Sequence, residues 1–334
     1  MKRLFVILLP LLFAACTLID DDLSVCGKQV LINYQLQLHT ELSVQLQAEL
    51  QTEPELPVRR ALERWLAPVF AGTEADVDLR FYSAELDELA VHRQDSLRDK
   101  HASFTIILPK EYFRHLAVAN MYGNPEVQIM EDEHSSTMYI TLPDEPELSS
   151  LREGMYAARM PIEVIDSMKQ MEVSMYMINA AVALVMETSA CSDVVAVDGY
   201  LSGSATGFSI YDSTFIYVGS PIVWLDRVTL DGSSVSHRAA RAAGDLSYMC
   251  MAGVSLPTQD STAWSMTLTT TLTDNRHTTT TLTVDEPLAA GSLRLIKLLM
   301  GEDGELTPDT DANAEVGATV KLDWQKGDEH EIEI

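Results

Sequence analysis

Cysteine is scarce in this chain, and so is positive charge. There are 4 cysteines in 334 residues and none forms a CxxC pair, so neither a disulfide framework nor a zinc site is indicated. Lysine and arginine number 23 against 50 acidic residues, a formal net charge of −27. The acid is spread along the chain, which suits a solvated surface, and it repels phosphate backbones, so nucleic acid is not expected as a partner. No apolar run approaches the roughly 20 residues of a membrane-spanning helix. Aromatic residues make up 7% of the chain. The four tryptophans, Trp65, Trp224, Trp264 and Trp324, lie far apart and read as separate core residues rather than a sugar-stacking platform. Motifs that carry chemistry are missing too. No two of the eight histidines frame an HExxH, and GxSxG, P-loop and GxGxxG patterns do not occur. DGELTPDTDANAE, 303 to 315, is dense in acid but lacks the EF-hand register, so it reads as a solvated loop. No catalytic residue, metal ligand or cofactor site is expected, and the chain is read as a non-enzyme.

What is present begins with an address. Lys2 and Arg3 precede a ten-residue apolar run, Leu4 to Phe13, and two small residues, Ala14 and Ala15. That is the three-part pattern of a secretory signal. Cys16 follows at once. Ala14-Ala15-Cys16 resembles a bacterial lipobox, with Phe13 at the position where leucine is usual. The resemblance implies cleavage before Cys16 and a covalent lipid on its thiol. Removing Lys2 and Arg3 and no acidic residue takes the charge from −27 to −29. Each buried methylene contributes about 0.8 kcal/mol and one chain holds only marginally; bacterial lipoproteins resemble one another in carrying three. An exported protein permits one disulfide among Cys26, Cys191 and Cys250, and the spacing selects no pair.

After the address the chain is rich in strand patterns. KQVLINYQLQL, 28 to 38, alternates: Val30, Ile32, Tyr34, Leu36 and Leu38 point one way, and Asn33, Gln35 and Gln37 the other. PVRRALERWLAPVF, 57 to 70, changes to helical spacing, with Pro57 suited to a first turn and Pro68 expected to end or kink the helix. ADVDLRFYS, ASFTIILP, FRHLAVANMYG and STMYITLP read as strands. PDEPELSSLREG, 143 to 154, reads as a boundary. The run from Met175 to Met186 fits helix or buried strand by period; alternation of Val173, Met175 and Met177 favours strands. Two threonine-rich strands flank Asp274 to His277, a hairpin turn. Many short strands argue for an all-β chain with one short helix, built as two β-sandwich domains. The expected divisions are a signal peptide over 1–15, a lipidated linker over 16–27, and sandwiches over 28–150 and 151–334.

CTLIDDDLSVC resembles the start of mature fimbrial anchor lipoproteins of the FimB/Mfa type of Bacteroidetes: a cysteine, an acidic patch (Asp20 to Asp22), Asp22-Leu23-Ser24, and a second cysteine, Cys26. VDLRFYS, FTIILPKEYFRHLAVANMYG and EGMYAARMPIEV with the strand after it are similar to later parts of that family. The likeness runs to about residue 190. The chain departs from it at Tyr122-Gly123, where a Trp-rich turn is usual, and in its methionine-rich strand at 171 to 177. The resemblance implies transthyretin-like sandwiches, an outer-membrane lipid anchor at Cys16, and a place at the base of a fimbrium with fimbrillin subunits as partners. Shaft subunits of such fimbriae lose their first strand to an Arg-specific protease and accept a neighbour's strand; an anchor would keep its own and end growth. Arg59 and Arg60 are the candidate protease sites. The C-terminal Ile332 and Ile334 alternate as a strand to be donated would, or as the last hairpin of the second sandwich would. A surface glycan-binding lipoprotein, a shaft or tip fimbrillin and a hydrolase with a scattered site are the other readings.

Overall fold

Residues whose apolar side chains alternate need one dry face, and this chain supplies strand after strand of them. The structure, a computed structural model, describes residues 29–39, 56–71, 74–98, 100–122, 124–132, 135–219, 221–229, 234–235, 247–259, 262–309 and 316–323. In chain order the elements are β1 (Gln29–His39), α1 (Leu56–Ala71), β2 (Glu74–Ser83), β3 (Leu89–Arg98), β4 (His101–Pro109), β5 (Tyr112–Ala119), β6 (Gln128–Asp132), β7 (Ser135–Thr141) and β8 (Glu147–Leu148). Then come β9 (Tyr156–Glu163), β10 (Gln170–Met177), β11 (Ala180–Glu187), β12 (Val194–Ser202), β13 (Gly207–Ser209), β14 (Thr214–Ile216), β15 (Ile222–Trp224), β16 (Asp226–Val228) and β17 (Ser234–Val235). The chain goes on through β18 (Tyr248–Ser255), β19 (Trp264–Leu272), β20 (His277–Val284), β21 (Leu293–Met300), β22 (Leu306–Pro308) and β23 (Val316–Asp323).

Seven strands close on themselves in the order β1-β10-β9-β5-β2-β3-β4. Closure is thin at two places: β9 meets β10 through two residue pairs, and β3 meets β4 through one. The unit is therefore a sandwich of two sheets, β4-β1-β10 and β3-β2-β5-β9, touching at their edges. A second pair of sheets, β17-β16-β18-β11-β21-β22 and β23-β20-β19-β12-β15-β8, builds the other sandwich. Their inner faces are close: a Cβ on Gly199 of β12 would sit 3.5 Å from Met251 Cε of β18. A four-stranded sheet, β14-β13-β7-β6, joins strands from both halves of the chain.

The expected division between 150 and 151 does not follow the strand pairing. β9 and β10 lie beyond it yet complete the first sandwich, through β5 and β1. The segment read as a boundary is itself tied down. β8 pairs with β15, Leu151 N–H donates to Val254 O at 2.9 Å, and Ser150 Oγ accepts from Val254 N–H at 2.8 Å. The passage between sandwiches falls instead at Asn179, which is fully buried. Its Oδ1 accepts from Met155 N–H, its Nδ2 donates to Glu153 O, and its own carbonyl accepts from Gly291 N–H.

The helix also differs from expectation. It runs three residues past Pro68, to Ala71. Proline removes one intrahelical hydrogen bond, but Pro68 and Arg64 are on the exposed face, where water reaches the freed carbonyl. Val69 and Phe70 are buried and hold the last turn in place. Gly154 lets the chain pass this turn, since a Cβ there would lie 2.2 Å from Val69 O. α1 packs on β16 and β18 of the second sandwich. The ambiguous run resolves into β10 and β11. β11 is buried on both faces, between antiparallel β18 and parallel β21, which is why its period was silent. The threonine hairpin turns at the expected place, with Asn275 at φ 60° and Asn275 N–H donating to Leu272 O at 3.0 Å.

Candidate functional site

The site centres on β1. Val30, Ile32, Tyr34, Leu36 and Leu38 are all buried, and Gln29, Leu31, Asn33 and Gln37 are exposed. Alternation in the sequence thus becomes one dry and one wet face. Both edges of the strand are occupied. On one side β4 runs antiparallel, from Gln29↔Pro109 to Gln37↔His101. On the other β10 runs parallel, from Asn33↔Gln170 to His39↔Tyr176. β1 is the middle strand of its sheet, not an edge strand.

Tyr34 fixes β1 to the facing sheet. Its hydroxyl lies 2.6 Å from His115 Nε2, and His115 Nδ1 lies 2.9 Å from Arg80 O. A carbonyl can only accept, so Nδ1 carries the proton and Nε2 accepts from the phenol. Both side chains are fully buried. Burial pushes the Tyr34 phenol up and holds His115 down at about 4. Aromatic rings surround the pair: Phe104 stacks on Tyr34 at 5.0 Å, Phe81 stacks on His115 at 4.1 Å, and Phe81 meets Tyr34 edge-on at 6.2 Å. A strand held this way is an integral part of a core.

A second polar cluster lies on the other face of β2. Arg80 donates from Nε to Asp78 at 2.8 Å and from Nη2 to Tyr122 Oη at 2.9 Å and Glu131 at 2.5 Å. Asp78 Oδ2 also meets His92 Nε2 at 2.5 Å and Gln94 Nε2 at 3.1 Å. Asp78 and Arg80 are buried, because β6 covers this face, and Tyr82 Oη donates to Asp132 O at 3.1 Å. Burial and the adjacent Glu131 raise the Tyr122 phenol. Every charge here has a partner, so the cluster pins β6 to β2 and offers no vacant reactive group.

The sequence candidates are placed as follows. Arg59 and Arg60 lie at the start of α1, in the helical conformation anticipated for them. Cys16, Cys26, Trp324, Ile332 and Ile334 lie outside the described residues. Trp65 is on α1, Trp224 on β15 and Trp264 on β19; Trp264 and Trp65 are core residues, and Trp224 meets Tyr200 edge-on at 5.3 Å. They form no shared platform. Cys191 is a buried thiol, and Cys250 is buried on β18. His277 opens β20 and lies 3.1 Å, through Nδ1, from Thr271 Oγ1. Among the described residues there is no cluster of metal-ligating side chains, and no helix long and apolar enough to cross a membrane. Sequence reasoning missed His115 and the Asp78–Arg80 cluster. A tyrosine on the dry face of a strand was the available signal, since a buried phenol needs a partner.

No described protein family and no curated protein matches the sequence. Solved structures do. A candidate adhesin from Bacteroides thetaiotaomicron superposes with a TM-score of 0.54 at 12% identity, over 84% of this chain and 93% of that one. The two share a fold. A candidate adhesin from Bacteroides ovatus gives 0.48 at 7% identity, over 90% and 96% of the two chains. The fimbrial anchor protein Mfa2 from Porphyromonas gingivalis gives 0.47 at 10%, over 81% and 91%.

Proposed function

We propose that this chain is a non-enzymatic cell-surface protein that ends a fimbrium at the outer membrane, held there by lipid on Cys16. The observation that carries the reading is β1. It is paired on both edges and fills its own groove with five buried side chains. A subunit whose groove is full cannot accept a partner's strand there, so growth by that route stops at it. The fold shared with a candidate adhesin and the opening CTLIDDDLSVC agree with a surface role in assembly or adhesion. Its partners would be fimbrillin subunits, and it would need no cofactor.

Intact-mass measurement and mass-spectrometric mapping of the N-terminal peptide, on protein extracted from membranes in detergent with protease inhibitors, test this. A mature chain that retains residues 29–39 is expected, with its blocked first residue at Cys16 and the lipid visible in the intact mass. A new start at Arg60 or Ala61 would mean that β1 is cut away, and would make the protein a shaft or tip subunit instead.

A further inference from the structure

β9 and β10 are consecutive strands, yet they share only the pairs Ala157↔Tyr176 and Tyr156↔Met177. Beyond these, β9 stays with β5 and β10 stays with β1. Two bonds give the direction of the amides along β10. Asn33 N–H donates to Lys169 O at 2.9 Å, and Ile178 N–H donates to Met155 O at 2.8 Å. Successive residues of a strand aim their N–H and C=O to opposite sides. Residues 169, 171, 173 and 175 therefore face β1, while Gln170, Glu172 and Ser174 aim theirs across the gap toward β9. Among the described strands none pairs with that edge. On the far side of the gap Pro161 has no N–H to give.

The closed end of this gap opens into a cleft of about 320 Å³, walled by Ala157, Ala158, Met160, Val173, Phe208 and Phe215. Arg159 stands at its mouth, its guanidinium 5.6 Å from the Tyr211 ring centroid. It makes no ion pair among the described residues, although acidic residues outnumber basic ones 50 to 23 in the chain. We propose that the open edge of β10 and this cleft receive an extended segment of a partner polypeptide, with aliphatic side chains at alternate positions and an acidic residue facing Arg159. Backbone groups that no described strand takes up, beside an apolar wall, call for an occupant with a backbone of its own, which an acyl chain lacks. Alternate side chains would enter the cleft while main-chain bonds form along Gln170 to Ser174. The proposal rests on the assembly role above and names where the partner docks.

The test uses the full mature chain in solution, so it does not depend on anchoring. The probe is a labelled peptide of about eight residues, alternating valine and threonine with one glutamate. Saturable binding is expected. Ser174→Pro removes an N–H on the open edge without touching the β1 ladder and should weaken binding about tenfold or more, some 1.4 kcal/mol. Ser174→Ala should leave it intact. Ala158→Trp, which fills the cleft, should weaken it as well. Arg159→Gln should matter for the glutamate peptide and not for its glutamine counterpart. Unfolding curves accompany each variant; if Ser174→Pro does not fold, the Ala158 and Arg159 variants decide. Binding that none of these changes, no binding at all, dodecanoate bound in place of the peptide, or a second copy occupying the edge would each overturn the proposal.

Discussion

Tyr34 and His115 join the two sheets of the first sandwich through one hydrogen bond inside an aromatic cage. Tyr34→Phe would keep the ring packing and leave His115 Nε2 buried without a donor, a cost of about 1–3 kcal/mol. His115 also makes stability depend on pH. Its folded value, about 4, lies below the ordinary histidine value of roughly 6.5. Between those values the unfolded chain binds a proton that the folded chain refuses. The stabilisation is present above pH 6.5 and is lost as pH falls toward 4, to the extent of roughly 3 kcal/mol. Carboxylates titrate in the same region, so the contribution must be isolated by comparison. Urea unfolding of wild type and His115→Asn at pH 7 and pH 4.5 serves. The variant should be less stable at pH 7 and should show a shallower loss on acidification. Equal loss in both proteins would remove His115 as the cause.

β1 is the element on which the functional reading turns. Deleting residues 28 to 38 would remove the middle of the β4-β1-β10 sheet, expose the ladder groups of both neighbours and empty the space filled by Tyr34 and four aliphatic residues. The first sandwich should lose its cooperative transition, or melt far below wild type in calorimetry. An unchanged transition would make β1 a detachable arm. This strand was legible in the sequence because one face is wet and the other dry. The threonine hairpin was legible for the same reason, with Asp274 and Asn275 marking its turn. What could not be read was the company each strand keeps. The parallel neighbour of β1 lies beyond residue 169, and no local pattern announces it. β3 was missed because LAVHRQDSLR is mostly polar, and β6 because it is five residues long and largely exposed. Asp78 and Arg80 alternate with Val77, Leu79 and Phe81, a pattern that by itself fits the wet face of a half-buried strand. They are buried because β6, some 50 residues later, covers them.

For the whole molecule the two ends of the chain carry the remaining argument. Cys16→Ala should release the protein from membranes, since no apolar run is long enough to hold it as a helix; persistence in the membrane pellet would reject the lipid anchor. At the other end, β23 pairs with β20 from Val316↔Val284 to Asp323↔His277 and is the outermost of the described strands in its sheet. Val320 and Leu322 are thus already committed to a ladder with Thr280 and Thr278, and Ile332 and Ile334 lie beyond the described residues. In the proposed role the chain would still have to join a polymer, and with the β1 groove full it could contribute only an outgoing strand or a separate docking edge. Residues 330 to 334 would extend roughly 17 Å at ~3.4 Å each, enough to pair with one short strand. Deleting them should leave a folded, membrane-bound protein that no longer retains fimbriae. Fimbriae released into the medium are measured beside the unfolding curve of the deletion. A deletion that fails to fold assigns the segment to the last hairpin of the second sandwich. A folded one with normal retention leaves the outgoing strand without a role, and attachment must then pass through another surface such as the open edge of β10.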